Sequence, residues 1–134
     1  MESAVTIAAA EPRHVPLVRR LAHKIWYQHY PAILSAAQIE YMLERGYAED
    51  ALLRFVTGPD SGLALANVGD EAVGFAAWYR PDGGAAMKLD KLYVLPRHHG
   101  AGIGRALIEH VAAAARTMMR RMRKAPSESG GSPR

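Results

Sequence analysis

One glycine-rich loop constrains this chain more than any other feature: Arg97-His-His-Gly100-Ala-Gly102-Ile-Gly104-Arg105. It directly follows a strand-like run and directly opens a helix-like one. Glycines at alternate positions remove side chains where the backbone passes close to something bulky. A helix that begins there directs its unpaired N–H groups, and the positive end of its dipole, at the same place. The loop therefore predicts a site for an anion, most naturally a phosphate or pyrophosphate.

Two common phosphate-binding loops do not match this stretch. A P-loop needs Gly-x-x-x-x-Gly-Lys-Ser/Thr, and the chain contains no Gly-Lys-Ser/Thr. The dinucleotide fingerprint Gly-x-Gly-x-x-Gly fails because Gly104, and then Arg105, follow Gly100 and Gly102. That fingerprint also belongs to a first βαβ unit, whereas this loop lies in the last third of the chain. Both interpretations are excluded by spacing and context.

The spacing that fits is Arg/Gln-x-x-Gly-x-Gly/Ala after an apolar strand, with Arg97 in the first position. This pattern resembles the acetyl-CoA loop of the GCN5-related N-acetyltransferases, the GNAT family. The resemblance runs from Leu89 to Ile108 and covers, more loosely, the upstream order of a strand, two helices and three antiparallel strands. It implies an α/β fold in which helices flank a mixed, mainly antiparallel sheet.

The same resemblance implies a function. Members of the family transfer an acetyl group from acetyl-CoA to a primary amine of a small molecule or peptide, by direct attack without a covalent enzyme intermediate. Two alternatives stay open. One is an inactive, self-associating remnant that retains the loop; the other is a basic module that binds nucleic acid or a partner through residues 116–124.

Composition narrows the class of protein. The 134 residues predict one domain over 1–124, followed by a disordered, Pro/Gly/Ser-rich tail over 125–134. The chain has no cysteine and no His/Asp/Glu cluster at ligand spacing, so we expect no metal site. The net charge of +4 comes from the basic residues after position 115, so we expect no nucleic-acid partner. Without a long apolar run or a signal peptide, a cytoplasmic protein that does not enter membranes is expected.

Apolar periodicity predicts the order of elements. The predicted strands cover 5–7, 63–68, 72–79 and 87–95, and the predicted helices cover 13–28, 49–56 and 103–124. A further helix runs from a capping box at Ser35 and Gln38 to Gly46, with Ile39, Met42 and Leu43 as its buried stripe. A turn is predicted at 81–84.

The strand over 87–95 contains an irregularity. Its apolar residues lie at 87 and 89 and then at 92 and 94, so the alternation slips by one residue near Asp90 and Lys91. Such a slip indicates a β-bulge, although an edge strand with two surface charges would look similar. In the family that the chain resembles, a bulge here splays the strand from its parallel neighbour and the pantetheine arm enters the gap.

The resemblance also assigns a cofactor site. The backbone of Leu92, Tyr93 and Val94 would pair with the pantetheine like an added strand, and the amides from His99 to Arg105 would surround the pyrophosphate. The expected cofactor-binding residues are Leu92, Tyr93, Val94, Arg97, His99, Gly100, Ala101, Gly102, Ile103, Gly104 and Arg105. Arg97 and Arg105 are charge partners for phosphate oxygens; the alternative for Arg97 is a solvated arginine after a proline.

Amine acetylation needs a neutral nucleophile, because a lysine-like amine is only about 0.04% neutral at pH 7. Asp90 is the candidate general base, directly or through a water, unless it is a surface partner of Lys88 or Lys91. Tyr93 is the candidate acid for the leaving thiolate, unless it serves only in core packing. These two residues are the expected catalytic groups.

By resemblance, the acceptor site is built from the first two helices. The expected substrate-binding residues are Trp26, Tyr30, Glu40 and Tyr41, because aromatic rings with one carboxylate suit a cationic amine. Ordinary helix packing is the alternative, and for Trp26 it is the favoured one.

The family fold continues after its glycine-loop helix with a parallel strand, a further helix and two more strands, for which this sequence has no counterpart. The strand at 87–95 is therefore expected to have one unpaired edge, and the last helix to lack a partner on one face. Exposed edges and apolar faces favour self-association, so we expect a homo-oligomer or a marginally stable monomer.

Overall fold

The computed structural model describes residues 5–81 and 86–124, with side chains as far as residue 121. Four strands and four helices follow one another within these residues. The bounds are β1 Val5–Ala9, α1 Val15–His29, α2 Ala36–Gly46, α3 Glu49–Thr57, β2 Ser61–Val68, β3 Glu71–Tyr79, β4 Lys88–Val94 and α4 Ile103–Lys124. Single 3-10 turns lie at Pro12–His14 and Pro96–His98. Each predicted element is present, with ends shifted by one or two residues. The predicted turn at 81–84 falls largely, and the tail at 125–134 wholly, outside the described residues.

The strands form one sheet in the order β1-β2-β3-β4. Each of the three pairings is antiparallel, which confirms the expected antiparallel core of the sheet. Within the described residues β4 pairs only with β3, so its other edge carries no strand. This open edge adjoins the glycine-rich loop.

The two faces of the sheet are covered by different helices. A Cβ on Gly74 would contact Leu107 of α4, whereas the ring of its neighbour Phe75 meets Tyr47, just after α2. Because successive residues of a strand point to opposite faces, α4 lies on one face and the α1–α3 layer on the other. Phe75 pairs with Tyr93, which therefore points toward the α1–α3 layer.

Local sequence signals explain how the helical layer begins and packs. Ser35 accepts a hydrogen bond from the Gln38 N–H while the Gln38 side chain accepts one from the Ser35 N–H, so the predicted capping box is confirmed. Ile39 and Leu43 are buried as expected. The prediction for Met42 is wrong: its side chain is 45% exposed, because adjacent helical positions differ by about 100° and Leu43 takes the inward direction.

The predicted β-bulge is confirmed at Asp90. Lys91 pairs with Ala77, but the next partners along the ladder are Leu89 and Trp78, which leaves Asp90 as the extra residue. A bulge of this kind bends the strand and re-aims the side chains beside it. In this protein it lies two residues before the segment of β4 that faces the glycine-rich loop.

The last helix holds the loop against the core. Ile103, Leu107 and Val111 are buried at spacings of four residues, and Ala114 and Met118 pack beside them. Leu95 is also buried and donates its N–H to the Val73 carbonyl. Both ends of the loop are thus fixed by apolar anchors, while the loop itself stays at the surface.

Candidate active site

The loop has a backbone shape that its glycines permit. Gly100 and Gly102 have φ angles of 85° and 81°, in the left-handed region that costs other residues roughly 1–2 kcal/mol. Ile103 then begins α4. The alternation of left-handed glycines with ordinary residues turns successive peptide N–H groups toward one place, which is how anion-binding nests are made.

Several loop amides have no acceptor among the described residues. The His98, His99 and Ala101 N–H groups bond within the loop, and the Ala106 N–H bonds to the Gly102 carbonyl. The N–H groups of Gly100, Gly102, Ile103, Gly104 and Arg105 make no such bond within 5–81 and 86–124. Free N–H groups at the start of a long helix attract anions through hydrogen bonding and the helix dipole.

These amides face a cleft of about 500 Å³ between β4, the loop and the end of α1. Its lining residues come from these three segments. They are His29, Tyr30, Leu92, Tyr93, Val94, His98, His99, Gly100, Gly102, Ile103, Gly104 and Arg105. Of the predicted cofactor-binding residues, only Arg97 and Ala101 are absent from this lining.

The open edge of β4 supplies a second set of backbone groups. The Leu95 N–H bonds to the Val73 carbonyl, so Leu95 and Tyr93 turn their backbone groups toward β3. Backbone groups alternate along an antiparallel strand, so those of Leu92 and Val94 point away from β3. The Val94 carbonyl lies 2.9 Å from His99 Nε2, so this backbone group has a side-chain partner in the present conformation.

The cleft has open space in front of the loop. A Cβ placed on Gly100, Gly102 or Gly104 would meet no atom within 4 Å, so the space in front of the loop is open. His98 lines the cleft, and its Nε2 is buried without a hydrogen-bond partner in the described part of the chain. Free donors, open space and an orphaned ring nitrogen are the features that a diphosphate with an attached arm would use.

The two arginines of the loop differ in placement. Arg105 lines the cleft at the start of α4. Arg97 instead forms an ion pair with Glu71 at the beginning of β3, and both side chains are about half exposed. In this conformation Arg105 is placed to meet an anion in the cleft. Arg97 could bind the same anion only after breaking its ion pair with Glu71.

Tyr93 connects the cleft to an aromatic cluster. Its ring centroid lies 5.8 Å from that of Phe75 and 6.0 Å from that of Trp26. The Trp26 ring also contacts that of Tyr30 in a tilted arrangement, with 4.7 Å between the ring centroids. Burial raises the pKa of the Tyr93 phenol, and the neighbouring Tyr30 phenol raises it further. Tyr93 therefore keeps its proton at neutral pH, as a proton donor must.

Asp90 forms an ion pair with the next residue. Its Oδ2 lies 2.8 Å from Lys91 Nζ, and the Asp90 and Lys91 side chains are 31% and 11% exposed. The bulge makes this contact between neighbours possible, because it places Asp90 outside the regular ladder. The base role of Asp90 stays a prediction, and it requires Lys91 to share or release the carboxylate.

The predicted acceptor residues divide into two groups. Trp26 is buried in the aromatic cluster and Tyr30 lines the cleft. Glu40 is exposed on the side of α2 that faces α1, where its Oε2 accepts a hydrogen bond from Tyr27 at 2.5 Å and lies 3.1 Å from His23 Nε2. The Glu40 contact raises the pKa of the Tyr27 phenol.

Tyr41, the fourth predicted acceptor residue, is 59% exposed and contacts Arg45. It does not line the cleft. Glu40 instead lines a separate groove of about 690 Å³ between α1 and α2, whose wall also includes Arg19, Arg20, Lys24 and Glu44.

Two histidines of the cleft lie outside the sequence-based site. His29 ends α1 and its ring lies 5.1 Å from that of His99, while His98 lies in the loop. His98 could have been found from its place inside the motif. His29 could not, because only the packing of α1 against the loop brings it there.

The sequence model of the Acetyltransferase (GNAT) family matches residues 19–126. The chain belongs to this family. The matched region includes most of α1, the whole cleft and α4, so the GNAT resemblance inferred from the loop extends over most of the protein.

Solved structures show the same fold. The chain is similar to the PaiA N-acetyltransferase from Thermoplasma acidophilum in complex with coenzyme A, with 19% identity, a TM-score of 0.75, and coverage of 85% of this chain and 73% of that one. It is also similar to a ribosomal-protein-alanine N-acetyltransferase from Brucella melitensis, with 24% identity, a TM-score of 0.58, and coverage of 86% and 74%. An aminoglycoside acetyltransferase from an uncultured soil sample, in complex with sisomicin, shares 14% identity, with a TM-score of 0.59 and coverage of 84% and 70%.

No curated protein matches the chain significantly. In the described part of the GNAT chain, no helix is long and apolar enough to cross a membrane. The described histidine and acidic side chains nowhere gather in groups of three that could hold a metal ion.

Proposed function

We propose that this GNAT protein is an N-acetyltransferase that uses acetyl-CoA and acetylates a primary amine of a small molecule or peptide. The observation that carries the proposal is the set of five loop amides that find no acceptor within the described residues and that line an open cleft beside the edge of β4. The coenzyme A complex of the Thermoplasma relative supports the same cofactor. The proposal includes the cytoplasmic location expected from the sequence.

The residues of the cleft have separate tasks in this proposal. The Gly100, Gly102 and Gly104 amides would hold the diphosphate, with Arg105 as the charge partner. The outward groups of Leu92 and Val94 would bond to the pantetheine amides as an added strand does. Because His99 now contacts the Val94 carbonyl, a cofactor arm that used this carbonyl would replace that contact.

Acetyl-CoA, when bound, supplies the acetyl group as a thioester that an amine can attack. The chain contributes position and proton transfer. Tyr93 holds its proton at the edge of the cleft and would donate it toward the departing sulfur. Asp90 would accept the proton of the attacking amine once its contact with Lys91 loosens. Trp26 and Tyr30 form the apolar wall that excludes water from the same place.

Two measurements test the proposal together. Calorimetry should detect acetyl-CoA binding in the micromolar range, and a thiol-release assay should detect coenzyme A formation with one class in a panel of alkylamines, aminoglycosides and peptides. Absence of heat at millimolar acetyl-CoA would contradict the proposal. Binding without release of thiol for any amine would instead identify the inactive, cofactor-binding alternative.

The open β4 edge carries a further proposal, that the protein self-associates. Leu89 on β4 and Ile108 on α4 are 42% and 46% exposed. An uncovered strand edge commonly pairs with a strand of a second copy of the chain. Sedimentation velocity at about 50 µM should show a species of twice the monomer mass; a single monomeric boundary at that concentration would exclude the dimer.

A further inference from the structure

Lys91 occupies an ammonium-binding box on the same face of β4 as Tyr93. The box is formed by the rings of Tyr47 and Phe55 and the carboxylate of Asp90. Lys91 Nζ lies 4.8 Å from the Tyr47 ring centroid and 5.3 Å from that of Phe55. It lies 2.8 Å from Asp90 Oδ2. Two ring faces and one carboxylate are the elements with which proteins recognise an alkylammonium group.

The Lys91 ammonium group has fewer hydrogen-bond partners among the described residues than it has donors. An ammonium group has three N–H donors, and Lys91 Nζ has one hydrogen-bond partner, Asp90, in the part of the chain that the structure describes. Its side chain is only 11% exposed, so water can serve the remaining donors poorly. The lysine stem has four rotatable bonds and can swing its head group to solvent. The Lys91 ammonium is therefore replaceable.

The box is connected to the cleft through the aromatic cluster. Tyr47 lies edge-on to Trp26 at 6.4 Å, and Trp26 contacts both Tyr30 and Tyr93 of the cleft wall. Tyr47 also lines the open groove between α1 and α2. The box thus lies one ring away from the cleft and beside a solvent-accessible groove.

Gly46, at the end of α2, lies beside the group that fills the box. A Cβ at this position would lie 3.7 Å from Lys91 Nζ, which is an ordinary van der Waals contact. The end of α2 therefore comes close to the ammonium group.

We propose that this box is a binding subsite for a primary alkylammonium group and that Lys91 is its internal occupant, which an external ammonium can displace. The assignment of that external group to the acceptor rests on the proposed function. The box supplies the aromatic rings and the carboxylate that were expected from the sequence at Trp26, Tyr30, Glu40 and Tyr41 instead.

The test uses two substitutions at one position. Lys91→Ala removes three carbons and the ammonium, which together correspond to n-propylammonium, and leaves the box empty. Lys91→Met keeps an apolar stem in the box. n-Propylammonium chloride, compared with NaCl at equal ionic strength, should raise the melting temperature of Lys91→Ala by about 3–6 °C at ten times its dissociation constant. The same salt should not change the melting temperature of Lys91→Met. No rise for Lys91→Ala, or an equal rise for both variants, overturns the subsite.

If Lys91→Ala does not fold, NMR of the unsubstituted protein tests the same proposal. The ε-methylene protons of Lys91 lie against two rings, so their NMR resonances are displaced by ring currents. Titration with n-propylammonium should move them toward the values of a free lysine; unchanged resonances at saturation overturn the proposal. Calorimetry with coenzyme A on the same samples distinguishes failure of the subsite from failure of the proposed function. If the protein binds coenzyme A but no alkylammonium, the proposed function stands and only the subsite is refuted.

Discussion

Replacing Gly102 by valine is expected to reduce coenzyme A affinity at least about 100-fold, equivalent to about 2.7 kcal/mol. Two effects act in the same direction. A β-branched residue is strained at a φ of 81°, so the loop would turn its amides away to relieve the strain. Where the backbone does not move, the new side chain enters the open space that the anion would use. Calorimetry with coenzyme A measures the loss.

Gly69→Val is the matched control for this variant. Gly69 also has a positive φ, 61°, but it lies in the turn between β2 and β3 and does not line the cleft. Both variants should lose roughly 1–2 kcal/mol of folding stability from backbone strain. Only Gly102→Val should lose coenzyme A. Equal affinities of the two variants for coenzyme A would refute the role of the loop.

Phe75→Ala is expected to cost about 3–5 kcal/mol of folding free energy, a large share of the roughly 5–15 kcal/mol that stabilises a typical domain. Phe75 is fully buried in β3, and its ring contacts Tyr47 and Tyr93. Its removal leaves a cavity under the two tyrosines that connect the box and the cleft. The melting temperature should fall by more than about 10 °C.

The control for Phe75→Ala removes an exposed side chain of the same chemical class. Ile33→Ala truncates a residue that is 76% exposed and should change stability by less than about 0.5 kcal/mol. Urea denaturation of the two variants gives both values. A Phe75→Ala protein as stable as Ile33→Ala would show that the aromatic cluster is not the core of the α1–α3 face.

The features that could be read from the sequence are those with a local signature. The bulge at Asp90 could be predicted because apolar residues alternate between the two faces of a strand. A shift of this alternation by one residue in β4 marks the extra residue. The cap at Ser35 was visible because its two hydrogen bonds join residues three positions apart. The glycine spacing predicted a loop whose backbone is left bare of side chains, and in that loop Gly100 and Gly102 have positive φ angles.

The features that could not be predicted from the sequence depend on residues far apart in the chain. The direction of the Arg97 guanidinium is set by Glu71, 26 positions earlier. The partners of Lys91 come from the end of α2 and from α3, so the box exists only after these elements pack on β4. For Asp90 the sequence left a base and an ion-pair partner as alternatives, and the structure shows the pair with Lys91.

Binding of coenzyme A by the loop amides can be followed residue by residue with backbone amide NMR during a titration. We expect the largest shifts at Gly100, Gly102, Ile103, Gly104 and Arg105, the amides that lack acceptors in the described chain. The Gly69 amide should not shift. Saturable binding of coenzyme A with these five resonances unmoved, or with the shifts confined to the groove between α1 and α2, would contradict binding by the loop amides.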